Sequence, residues 1–184
     1  MIDTRPTLDR PASLAEIAQA AAALKLPPVE SWHPERTGDS EMRIARDGTW
    51  FHQDAPIPRP EMVRLFSTIL RREADGRHVL VTPAEKLDIA VEDAAFIAVA
   101  VASEGEGEAR RLGFTLNTGD PVVAGAEHGI SLRDGAPYLH VRGGLEARIA
   151  RPVYYELADI AIAEGGDPPG VWSEGVYFAL MDAA

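Results

Sequence analysis

A small unit occurs twice in this chain, and that duplication limits the fold more than any single residue does. The first copy runs from Ile44 through Arg46-Asp47-Gly48-Thr49-Trp50-Phe51-His52 and a proline-rich link to Arg59-Pro60, then into an amphipathic stretch beginning Glu61-Met62-Val63. The second runs from Ser131 through Arg133-Asp134-Gly135-Ala136-Pro137-Tyr138-Leu139-His140 and a glycine-containing link to Arg151-Pro152, then into Val153-Tyr154-Tyr155-Glu156-Leu157. Each reads as hairpin, link, Arg-Pro, helix. The two turn aspartates lie 87 residues apart and the two prolines 92. A solenoid repeats every 20–50 residues or so, and this longer spacing suits two related half-domains instead.

With 184 residues, 46% of them hydrophobic, the chain can bury a sizeable core. Its 18 basic and 29 acidic residues give a net charge of −11, which argues against nucleic acid as a partner because a phosphate backbone would meet repulsion. Only Lys25 and Lys86 among the basic residues are lysines. The absence of cysteine excludes disulfides, thiolate catalysis and cysteine-ligated metals. The longest apolar run, Ala94 to Ala102, is about half of what a membrane helix needs, so no membrane insertion is expected. Met1-Ile2-Asp3-Thr4-Arg5-Pro6 leads into no apolar signal region, and a cytoplasmic location is the expectation.

Local signals fill in the elements. Ser13-Leu14-Ala15-Glu16 has the form of a capping box that opens a helix, which Pro27-Pro28 stops. Val29 to Glu41 reads as a linker or extended arm. Asp47-Gly48 is a two-residue turn signal that would pair Ile44 with Phe51 and Arg43 with His52, placing Trp50, His52 and Arg43 on one face. Pro60 opens a helix whose core stripe would be Met62, Leu65, Phe66, Ile69 and Leu70, ended by solvated Arg71, Arg72 and Arg77. Thr82-Pro83-Ala84-Glu85 has the form of a capped helical turn. Alternating strands follow, then a helix that Gly165-Gly166 ends and a closing strand over Val176 to Met181. The fold class is α+β, with an N-terminal lobe over 1–84 and a C-terminal lobe over 85–184.

Five segments together carry a family resemblance: Asp47 to His52; Pro56-Ile57-Pro58-Arg59-Pro60 with Leu65-Phe66; Thr82 to Lys86; Val91 to Phe96; and Val141 to Arg148. The chain resembles an uncharacterised bacterial family, domain of unknown function 1285, over roughly Trp32 to Met181. It departs from the family pattern at Ala95, where proline is usual. The resemblance implies a duplicated core of hairpin and helix units. It also implies a C-terminal lobe similar to a pleckstrin-homology-like antiparallel sheet capped by a helix. A small-ligand site at the lobe interface, a nucleotide-like ligand and a role in signal transduction are further implications, the last two by analogy of fold.

The residues point to binding rather than catalysis. Walker A, Gly-x-Ser-x-Gly and His-Glu-x-x-His motifs are missing, and the five histidines show no metal-ligand spacing, so no metal or cofactor is expected. Gly105-Glu106-Gly107-Glu108 is no phosphate loop, because its carboxylates would repel the phosphate. Arg142, Arg148 and Arg151 form a locally cationic stretch in an acidic chain, and Arg59 and Arg151 adjoin helix starts that favour anions. The expected ligand site combines Trp50, His52 and Tyr138 for stacking and hydrogen bonding with Arg59, Lys86, Arg142, Arg148 and Arg151 for the anion. Pairing of these arginines with Glu61, Glu156 or Asp93 would account for them without a ligand. The expected function is a non-enzymatic binder of a small anionic ligand at the seam that relays to a signalling partner. A protein-interaction adaptor, and a small hydrolase or transferase using His52, remain open.

Overall fold

The computed structural model describes residues 12–181, and the reading of Met1–Pro6 lies outside the described residues. Helix α1 (Leu14–Ala23) opens with the expected capping box, in which Ser13 and Glu16 each accept from the other's backbone N–H. An extended arm then leads to the first sheet, formed by β1 (Arg36–Ile44), β2 (Trp50–His52), β3 (Ala55–Pro56), β4 (Leu70–Arg72), β5 (His78–Val81) and β6 (Glu85–Val91). Between β3 and β4 lies α2 (Pro60–Thr68). The second sheet holds β7 (Phe96–Glu104), β8 (Arg111–Leu116), β9 (Pro121–Val123), β10 (Ile130–Arg133), β11 (Ala136–Arg142) and β12 (Leu145–Ile149). Helix α3 (Arg151–Glu164) and a hairpin of β13 (Gly170–Ser173) and β14 (Val176–Ala179) complete the chain. Among the described residues no helix is long and apolar enough to cross a membrane.

The duplication is a property of the whole sheets. Their strand orders are β3-β2-β1-β6-β5-β4 and β10-β11-β12-β7-β8-β9. Each half starts at a central strand, walks to one edge, crosses to the other edge and returns to the centre, where its first and last strands pair in parallel. All other neighbours within the two sheets are antiparallel. The second sheet, covered by α3 through Val153, Leu157 and Ala161, fits the helix-capped sheet expected of the C-terminal half. Both Asp-Gly hairpins lead into a meander and a proline-opened helix, but β1–β2 starts at the centre of its sheet and β10–β11 at the edge. The lobes divide after β6. Glu85–Val91 pairs with both β1 and β5, so a boundary at residue 84 would cut the first sheet through its middle.

Register corrects the first hairpin. Ile44 faces Trp50, Arg43 faces Phe51 and Met42 faces His52. The loop has three residues, closed by Ala45 N–H to the Thr49 carbonyl and Gly48 N–H to the Ala45 carbonyl, with Gly48 at φ +88°. Because side chains alternate along a strand, this slip by one residue exchanges the faces. Trp50 and His52 share a face with Ile44 and Met42, while Arg43 lies opposite, its guanidinium 4.3 Å from the Phe51 ring.

Helix α2 ends two residues earlier than its apolar stripe suggests. Leu70 is buried as a residue of β4, and Val81 N–H donates to the Ile69 carbonyl. Met62 and Leu65 face outward at 40% and 64% exposure, whereas Phe66 and Ile69 pack inward as expected and Val63 joins them. Arg71 is not a solvated helix end. It is 6% exposed, donates to the carbonyls of Val29 and Trp32, and pairs with Glu73, which pins the arm to the sheet. Thr82–Glu85 is a hairpin turn between β5 and β6 rather than a helical one, with the Thr82 hydroxyl accepting from Ala84 and Glu85 N–H.

Candidate functional site

The end of β11 sets the site. A register shift between His140 and Arg142 breaks the ladder with β12, and such bulges re-aim side chains. Arg142 crosses the seam from there and donates to the Ser67 carbonyl of α2 at 2.7 Å, its guanidinium 5.3 Å from the Phe96 ring. Among the described residues no carboxylate pairs with it. Burial pushes its pKa down, and the nearby Asp120 charge offsets part of that. Asp120, in the turn before β9, is 3% exposed; it accepts from the Thr118 hydroxyl at 3.0 Å and lies 3.6 Å from Arg64 of α2. Arg72 also crosses the seam, donating to the Gly144 carbonyl at 3.1 Å.

Two adjoining hollows meet at Arg142, both roofed by the arm that follows α1. One, of about 310 Å³, has Pro28, Thr68, Arg71 and Leu145 among its walls. The other, of about 290 Å³, is lined by Leu24, Asp120, Val122, His128 and Val141 among others, and Leu26 and Arg142 belong to both.

The structure distributes the other expected site residues. Trp50 is a core residue, 2% exposed and stacked on Phe66, so it forms no wall. Tyr138 is 4% exposed and donates its hydroxyl to Asp93 at 2.7 Å, under the Arg133 guanidinium. Arg148 pairs with the other Asp93 oxygen at 2.9 Å. Burial alone would raise the Asp93 carboxyl, but hydrogen bonds from Tyr138 and Arg148 outweigh it and hold the group below the usual range. Lys86 sits 3.9 Å from Glu73, in a separate polar hollow of about 270 Å³. Arg59 and Arg151 are exposed at the starts of α2 and α3, and among the described residues neither has a charged partner.

His52 lines an apolar hollow of about 390 Å³ with Met42, Ile57, Met62 and Phe66. His140, which ends the hairpin of the second sequence copy as His52 ends that of the first, is instead fixed by the Glu127 carbonyl at Nδ1 and Gly144 N–H at Nε2. The second turn, Asp134-Gly135, is a residue shorter than the first, so the two histidines occupy different settings. Of the eight residues, Arg142 alone enters the hollows at the seam.

The same two-part architecture is found in known proteins. The N-terminal domain model of a domain of unknown function, DUF1285, matches residues 27–94, and the C-terminal domain model of that family matches 95–180. The chain belongs to this family. The DUF1285 domains divide between residues 94 and 95, just beyond β6, where the two sheets part. A DUF1285 family protein from Silicibacter pomeroyi DSS-3, with a crystal structure at 2.50 Å, is 48% identical. That match covers 90% of this chain and 94% of that one at a TM-score of 0.78. A DUF1285 family protein from Shewanella baltica OS155, solved at 1.40 Å, is 25% identical over 65% of this chain and 91% of its own, at a TM-score of 0.54. No curated protein matches significantly.

Asp120 and Ser67 escaped the sequence reading. Gly119-Asp120-Pro121 has the composition of an ordinary turn, and a carbonyl acceptor such as that of Ser67 leaves no trace in sequence. Asp93 was visible as one of three acids able to neutralise the arginines, and it does so for Arg148.

Proposed function

We propose that this DUF1285 protein is a non-enzymatic, cytoplasmic binder of a small anionic ligand, held at Arg142 in the seam between its lobes. The observation that carries the reading is a partly buried guanidinium that has no carboxylate partner among the described residues, standing in the wall of two adjoining hollows. Such a group binds a carboxylate or a single phosphate oxygen pair strongly because little water competes. The hollows, at about 310 and 290 Å³, straddle the lower limit of the usual 300–1,000 Å³ range, which favours a metabolite-sized ligand over an intact nucleotide. A ligand in the larger hollow would touch the arm and both lobes, and one in the smaller hollow the arm and the second lobe, which gives its presence a route to a signalling partner.

The test is a thermal-shift panel of small carboxylates, amino acids, sugar phosphates and nucleotides against the protein and its Arg142→Gln variant. A ligand at a hundred times its Kd stabilises by about 2.7 kcal/mol, a shift readily seen. The reading requires at least one compound whose shift disappears with Arg142. Silence across the panel overturns it and favours the adaptor, whose support is the outward Met62 and Leu65 beside the apolar hollow. The hydrolase or transferase reading has less to stand on, since among the described residues no carboxylate pairs with His52.

A further inference from the structure

The chemistry of the seam ligand follows from a second charge in the same hollow; this inference rests on the binding role proposed for Arg142. Asp120 and Arg142 both line the 290 Å³ hollow. Each is anchored on α2, Asp120 by Arg64 and Arg142 by the Ser67 carbonyl. They attract one another, yet no ion pair closes between them within 4.0 Å. Opposite charges held apart by their anchors leave a space with a negative and a positive pole.

Both poles have unused capacity. A carboxylate offers about four acceptor positions, and buried Asp120 receives one hydroxyl hydrogen bond and one long contact at 3.6 Å. A guanidinium has five N–H donors, and among the described residues Arg142 spends one side-chain hydrogen bond, on Ser67. Of the other polar groups of this hollow, Glu174 pairs through one oxygen with Arg111 at 2.9 Å, and His128 Nδ1 lies 3.2 Å from the His140 carbonyl. The rest of the lining is aliphatic, with Leu24, Leu26, Val122 and Val141.

We infer that this hollow binds a small zwitterion with an aliphatic body, an aliphatic α-amino acid in the simplest case. Its carboxylate would meet Arg142, its ammonium Asp120, and its side chain the leucines and valines. A polyphosphate is disfavoured, because it would bring several negative charges to a single arginine beside a buried carboxylate. A simple carboxylic acid would leave Asp120 no better satisfied than before and would add repulsion. A zwitterion satisfies both poles and keeps the local charge unchanged.

The experiment uses the full chain and three probes of one shape: L-leucine, 4-methylpentanoate, which lacks the ammonium, and 3-methylbutylamine, which lacks the carboxylate. Calorimetric titration should show L-leucine binding saturably, with each half-molecule at least about tenfold weaker. Asp120→Asn should weaken L-leucine about tenfold and leave 4-methylpentanoate equal or tighter, and Arg142→Gln should abolish both. If Arg142→Gln does not fold, the wild-type series and Asp120→Asn still decide. Binding of 4-methylpentanoate as tight as that of L-leucine overturns the zwitterion and leaves the anion site standing. L-leucine binding that ignores both substitutions overturns the placement. If L-leucine fails while another anion binds in an Arg142-dependent way, this inference alone falls; if nothing binds, the anion site falls with it.

Discussion

Asp93 is the residue on which the junction turns. It lies two residues beyond β6 and takes Tyr138 on one oxygen and Arg148 on the other, both from the second sheet. Burial opposes its charge and these two hydrogen bonds win, so its carboxyl titrates below the unfolded value near 3.9. A depressed folded pKa gives stability that is complete above the unfolded value and is lost as pH falls through the folded one. Melting temperature followed from pH 7 to pH 2.5 should therefore drop on the acid side, and Asp93→Asn should flatten part of that drop. At pH 7 the same variant should cost about 1–3 kcal/mol, because Arg148 loses its partner. The pairing spans 55 positions in the chain, which is why an Arg-rich stretch read by itself looked like a ligand site. Arg71 gives the same lesson with opposite surroundings. It reads as helix-end charge, yet it is buried and holds the arm, and Arg71→Met should cost about 2–4 kcal/mol in urea unfolding.

Among the elements, most strands and helices were legible because alternation, caps and prolines act locally. The capping box, the Gly165 stop at φ +68° and the alternation of β12 all read true. The turns were less legible, because Asp-Gly serves both loop lengths: Asp134-Gly135 closes two residues and Asp47-Gly48 lies in a loop of three. The longer loop packs against the second lobe. A Cβ at Gly48 would lie 2.8 Å from both the Asn117 amide and Ile97, so the turn fits against the second lobe only as glycine at positive φ. Gly48→Ala should accordingly cost about 2 kcal/mol, by adding strain to a forced contact. The corrected face of α2 makes a sharper pair. Leu65→Ser should change stability by less than about 0.5 kcal/mol, whereas Trp50→Ala should remove about 3–5 kcal/mol. Equal losses in chemical denaturation would restore the original stripe.

On the scale of the molecule, the sequence repeat announced two halves but not how they share a core. One cluster of buried residues includes Ile44, Trp50 and Leu70 of the first half with Phe96, Leu139 and Leu157 of the second. Nor did chain order show that α1, which precedes the first sheet, packs on the second: Leu14 and Ile17 lie so close to Gly113 that a Cβ there would meet them at 2.8 and 2.9 Å. The arm roofing the hollows is thus a strap whose helix is fixed to one lobe and whose Val29–Trp32 carbonyls are fixed by Arg71 to the other. A molecule tied in this way cannot release one lobe without opening the core of both. Far-ultraviolet circular dichroism and tryptophan fluorescence should then trace one coincident thermal transition. Residues 95–181 expressed alone, without α1 and with Phe96 uncovered, should show no cooperative melting. Two separated transitions in the intact chain, or a sharp one in the excised half, would mean that each sheet carries its own core and that the seam is an interface between independent domains.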